Sequence, residues 1–139
     1  MTTPEHPAPA AAALHGFPPG ASVLFEDRSG DWAIVLVETG STEHSYPYEV
    51  LCERRAPTDG ADAWFEVSGA NGPGWRAIPG RPTVTFWGTT DAPGSATRIE
   101  FDGRVVEVRR NGDAFFFVGW DVAEPGPAGW PRIAGDASG

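Results

Sequence analysis

Lysine is absent from these 139 residues, and all ten basic side chains are arginines. That absence excludes a Walker-type phosphate loop, which needs GxxxxGK[ST]. Ten arginines against nineteen acids leave a formal net charge of −9 and a pI near 4.6. The only basic doublets are Arg54–Arg55 and Arg109–Arg110. Nucleic-acid binding needs clustered positive charge that releases counterions from phosphate, so no nucleic acid is expected as a partner. The same acidity disfavours an anionic membrane.

Cysteine is nearly absent too. Cys52 stands alone, which excludes an internal disulfide. The three histidines are His6, His15 and His44, and no CxxC, HxH or HExxH spacing occurs. The loop "TDGAD" at 58–62 carries carboxylates without the DxDxDG spacing of a calcium loop. No metal and no cofactor is expected. Long apolar runs are missing as well: "MTTPEHPAPAAAALHGFPPG" has no basic leader and its alanines are broken up by prolines, so it reads as neither signal peptide nor membrane span. With one thiol and no export signal, the protein reads as cytoplasmic.

What is there is 40% apolar residues, including six tryptophans and eight phenylalanines, enough for a single core. Residues 1–20 read as a flexible Pro/Ala arm in which "AAALH" has the composition for one helical turn, residues 21–135 as the domain, and 136–139 as a disordered tail. Within the domain, eight runs are rich in β-branched and aromatic residues: 21–27, 31–39, 45–55, 63–69, 82–89, 96–102, 104–110 and 114–122. Nearly every gap between them holds Gly, Pro, Asn or Asp, and no window shows helical periodicity. The pattern predicts an all-β fold, a single antiparallel sandwich of the immunoglobulin-like kind or a small barrel of about eight strands.

Two turns carry the reading to a register. Asp102–Gly103 is a preferred pair for a type I′ hairpin and sets Phe101 against Arg104, Ile99 against Val106 and Thr97 against Val108. Ile99, Phe101, Val106 and Val108 then share a face, and Arg98 meets Glu107 on the other. Asn111–Gly112, treated in the same way, sets Arg110 against Asp113, Val108 against Phe115 and Val106 against Phe117. The reverse face of this meander carries Val105, Phe116, Val118 and Trp120, too apolar for open solvent. Strand 31–39 is apolar on both parities, as a central strand covered on both sides would be. The N-terminal arm, the segment 126–135 or a second subunit would each supply such a cover.

The stretch "SGANGPGWRAIPGRP" (68–82) invites a ligand-loop reading, but its glycine spacing is not GxGxxG and no helix follows. Backbone geometry explains it instead: Asn71–Gly72 can take positive φ, Pro73 fixes the next residue, and Gly74 lets Trp75 fold back as an anchor. Cys52 alternates onto a face with Tyr46, Tyr48 and Val50, a buried position among acids that raise a thiol pKa. It is therefore not expected to be a nucleophile, and no GxSxG elbow is present. Glu43 beside His44, near Tyr46 and Tyr48, is the one place in the domain where an acid adjoins an imidazole.

"SGANGPGW" followed by "VVEVRRNGDAFFFVGWDV" resembles a group of small, uncharacterised β-sandwich proteins common in high-GC actinobacteria, in which an NGPGW turn and a C-terminal hairpin recur. The similarity spans roughly residues 22–123, and its motifs are structural turns. It implies a fold and no activity, so it assigns no functional residue. The residues themselves leave two readings. One is a non-enzymatic binding domain using an aromatic surface, with Trp75, Asn71, Phe116, Trp120, His44 and Tyr48 as binding residues and a protein, including a second copy, as partner. The other is a small barrel, enzyme or small-molecule binder, with an aromatic pocket.

Overall fold

A computed structural model describes residues 7–39, 47–55, 63–70, 74–90, 96–124 and 129–135. The fold is all-β, with two antiparallel sheets of four and six strands. The chain falls into two compact units, Met1–Gly72 and Pro73–Gly139, so the boundary lies inside the glycine-rich stretch 68–82. Asn71, Gly72, His44, Glu43, Tyr46 and the loop 58–62 lie outside the described residues.

The first unit begins with the helix α1 (Pro9–Leu14), followed by β1 (Ser22–Ser29), β2 (Trp32–Glu38), β3 (Pro47–Arg55) and β4 (Ala63–Ala70), paired in that order. Strand β2 is central, and Ala33 through Val37 are all buried, as its two-sided apolarity requires. One of its faces is covered by the Pro/Ala segment. Pro9 opens α1 with its φ already set for a helix, and the alanines bring the helix close to the sheet. Ala12 and Ala13 pack among Ala33, Val35, Val37, Val50, Cys52 and Trp64. A helix of six residues is marginal alone, so this packing is what holds it. Tyr48 lies over Gly69, where any Cβ would collide with the phenol ring.

The second unit contains β5 (Gly74–Arg76), β6 (Thr83–Thr89), β7 (Ala96–Phe101), β8 (Arg104–Asn111), β9 (Ala114–Gly119) and β10 (Arg132–Gly135). Their order is β10-β7-β8-β9-β6-β5, and the sheet curls into a half-barrel. All eight expected runs are strands. The two additions are short: β5 arises within the stretch read as a loop, and β10 pairs with β7 instead of covering a face.

The Asp102–Gly103 hairpin has the expected register, from Phe101 against Arg104 to Thr97 against Val108, with both turn residues at positive φ (52° and 76°). The next turn differs. Its central residues are Gly112 and Asp113, and Arg110 faces Phe115 rather than Asp113. Glycine alone has positive φ there (64°), as in the primed turn that places Gly first. The slip is two residues, so every side chain keeps its face. Strand β9 then leaves β8 after two pairs and runs along β6 for six. It also ends earlier than expected, at Gly119, because Asp121 adopts a left-handed φ of 61° and Trp120 falls in the turn. The inner face gathers Val84, Ile99, Phe101, Val108 and Phe115 into a core, with Trp75, Phe86, Val106, Phe117, Val122 and Trp130 packed against it.

Ala13 has no exposed surface, so a larger side chain there must displace α1 from the sheet. Ala13→Leu is expected to cost about 1–3 kcal/mol in urea-induced unfolding, the usual penalty for overpacking.

Candidate functional site

Strand β5 is an edge of only three residues, and two side chains fix it. The indole of Trp75 packs on the inner core while its Nε1 donates to the carbonyl of Val122 at 3.2 Å. The hydroxyl of Thr85, across the ladder on β6, accepts from the N–H of Gly74 at 3.3 Å and donates to its carbonyl at 3.2 Å. Gly74 has room around it: a Cβ built there would meet nothing within 4 Å.

The opposite end of the strand order reaches the same place. The N–H of Asp102 donates to the carbonyl of Gly129 at 3.3 Å, and Arg132 and Ile133 pair with Glu100 and Ile99. Trp130 is carried between these two fixed points and rests on the inner core. Gly74, Thr85, Phe86, Trp130 and Pro131 together line a cavity of about 210 Å³. None of the five carries a charge, and the Thr85 hydroxyl is already engaged with Gly74. Such a lining favours a neutral, flat, apolar group over an ion.

The residues singled out from sequence do not form one site. Trp75 is half-buried and is the expected anchor. Phe116 lies on the opposite face of the sheet, facing Trp87 across the ladder, and is only 9% exposed. Trp120 is half-buried in its turn, with the Arg81 guanidinium 5.1 Å from its ring centre. Arg81 also clasps the carboxylate of Asp121 through two hydrogen bonds, 2.8 and 2.7 Å. These bonds hold the Asp121 carboxyl below the usual carboxylate range and Arg81 above its own. The face that alternation sets apart from the core is thus open chiefly at Val105, 64% exposed, and closed at Phe116. Tyr48 belongs to the first unit, where its ring meets Phe17 edge-on at 5.4 Å.

Gly74, Thr85, Phe86, Trp130 and Pro131 were beyond strand alternation to find. The one available signal is Trp130 itself, a large aromatic set between Gly129 and Pro131 outside any apolar run.

Cys52 is buried, and its Sγ lies 3.7 Å from the carbonyl of Pro9, to which it donates. Burial first, then the charges of Glu66 and Glu26, push its pKa up to about 12. Comparison with known proteins returns no matching family model, no matching curated protein and no matching solved structure. Among the described residues, no helix is long and apolar enough to cross a membrane.

The raised thiol pKa has a direct consequence. The unfolded chain gives up this proton near pH 9, whereas the folded one keeps it to about 12. Stability from the neutral thiol is complete below pH 9 and declines as pH rises through that window. Alkaline unfolding is expected to shift to higher pH in Cys52→Ala, relative to its own stability at neutral pH. At pH 8 the native thiol should react with Ellman's reagent only as fast as the protein opens.

Proposed function

We propose that this chain is a cytoplasmic domain that acts by binding rather than by catalysis. Its site is the cavity between Gly74, Thr85, Phe86, Trp130 and Pro131, and its ligand is a neutral one- or two-ring group. The observation that carries this reading is the match between volume and lining. Drug-sized ligands occupy pockets of about 300–1,000 Å³, whereas a dry apolar cavity of about 150 Å³ already accepts benzene. A cavity of about 210 Å³ walled by an indole, a phenyl and a proline ring therefore suits a single aromatic moiety, whether a small molecule or the side chain of a protein. The free, buried Cys52 suits a reducing compartment.

This reading moves the aromatic surface from the Phe116 face to the rim formed by Phe86 and Trp130. Trp75 remains relevant as the residue that holds β5 in place.

The probe is 5-fluoroindole, followed by its fluorine NMR signal. With the native protein the signal is expected to broaden and shift in a saturable manner. Trp130→Ala removes one wall of the cavity and should abolish the shift, with circular dichroism checking that the strands are retained. An unshifted signal with native protein, or equal binding by a folded Trp130→Ala, overturns the site.

A further inference from the structure

We infer that Asn111 is a self-modifying residue: the backbone nitrogen of Gly112 expels its side-chain amide, and the isoaspartate that forms loosens the seam joining the two halves of the six-stranded sheet. The inference does not depend on the binding reading above.

The chemistry follows from what stands next to Asn111. The chain has two asparagines, Asn71 and Asn111, and each precedes a glycine. Asparagine is among the thermally labile side chains, and a following residue without a Cβ leaves its carbonyl carbon open to the next main-chain nitrogen. Asn111, Gly112 and Asp113 are all exposed at the tip of the hairpin. The pairs between β8 and β9 are made by Arg110 with Phe115 and Asn111 with Ala114, so the Gly112 N–H lies outside the ladder, and it has no hydrogen-bond partner among the described residues. A Cβ built on Gly112 would meet nothing within 4 Å, so the space a ring needs is open.

Base takes the proton from the Gly112 nitrogen, which attacks Cγ of Asn111. The N–Cγ bond forms as the Cγ–Nδ2 bond breaks, and ammonia leaves with a proton from the solvent. Water then opens the cyclic imide at either carbonyl, giving aspartate or isoaspartate.

The position gives the product its effect. Strands β7 and β8 share six pairs, as do β6 and β9, whereas β8 and β9 share only two. Those two pairs are the backbone seam between β10-β7-β8 and β9-β6-β5. An isoaspartate carries the main chain through its former side chain and so adds a carbon to the backbone within one of them. Register depends on equal spacing along both strands, so the extra atom pulls the seam apart while the longer ladders on either side are untouched. Phe86 stands on one side of the seam and Trp130, which leads into β10, on the other, so both halves contribute a wall to the cavity.

The test incubates the folded full chain at mildly alkaline pH beside the same chain in urea. Trypsin puts Asn111 and Asn71 on separate peptides, because Arg76 lies between them. Mass spectrometry should show the Asn111 peptide gaining the mass of an amide turned to an acid, at a rate within about tenfold of the unfolded chain, as for a site that reacts without the domain opening. A site that waits for global unfolding is slower by about a thousandfold or more, and that result, or an unaltered Asn111, overturns the inference. In the isoaspartyl fraction, amide exchange at Ala114 should quicken by about tenfold while exchange at Val108 stays native. Asn111→Asp carries the new charge without the added carbon and should keep native exchange at both. Unchanged exchange at Ala114 in the isoaspartyl fraction, or equally fast exchange in Asn111→Asp, overturns the loosening of the seam.

Discussion

The hydroxyl of Thr85 accepts from the N–H of Gly74 and donates to its carbonyl, and the arrangement of the second unit's edge follows from that reciprocal pair. A strand of three residues has too few ladder bonds to define its own position. The threonine adds two, both inward, at a residue that carries no side chain. Trp75 then adds an anchor through Val122, so the backbone of β5 is held while the space above Gly74 stays clear. Without the threonine, the glycine would be the weakest point of this edge.

Much of the fold was readable because local rules decide it. Asp102–Gly103 can adopt positive φ at both positions, and the hairpin around it has the register those two residues imply. The two-sided apolarity of β2 says that both its faces are covered, and α1 covers one of them. The failures share a cause. At residues 111–113 a glycine supports more than one primed turn, and the choice depends on where β9 goes next, which is set by β6 some thirty residues earlier in the chain. The end of β9 falls where Asp121 takes a left-handed φ and is gripped by Arg81, a contact between distant residues that no local pattern announces.

The candidate site was less legible than the fold for the same reason. Gly74 and Trp130 are 56 positions apart and belong to opposite ends of the strand order. Alternation sorts side chains within a strand and says nothing about which two edges a curled sheet brings to one cavity. It correctly put Phe116 on the face away from Phe115 and Phe117, but exposure does not follow from face alone. Cys52 shows the opposite case: its face, its burial and the direction of its pKa all follow from neighbours in β3 and from the acids that pairing places nearby.

The curl of the six-stranded sheet also sets where the molecule breathes. Strands β7, β8, β9 and β6 are each paired on two sides, whereas β5 and β10 are each held on one. Opening a strand bonded on one side breaks a single ladder, so local fluctuations concentrate at these two edges and leave the centre of the sheet undisturbed. For the ligand proposed above, the walls most able to move would be the ones it passes, so its entry would need no separate lid and would be governed by two short ladders rather than by the whole fold.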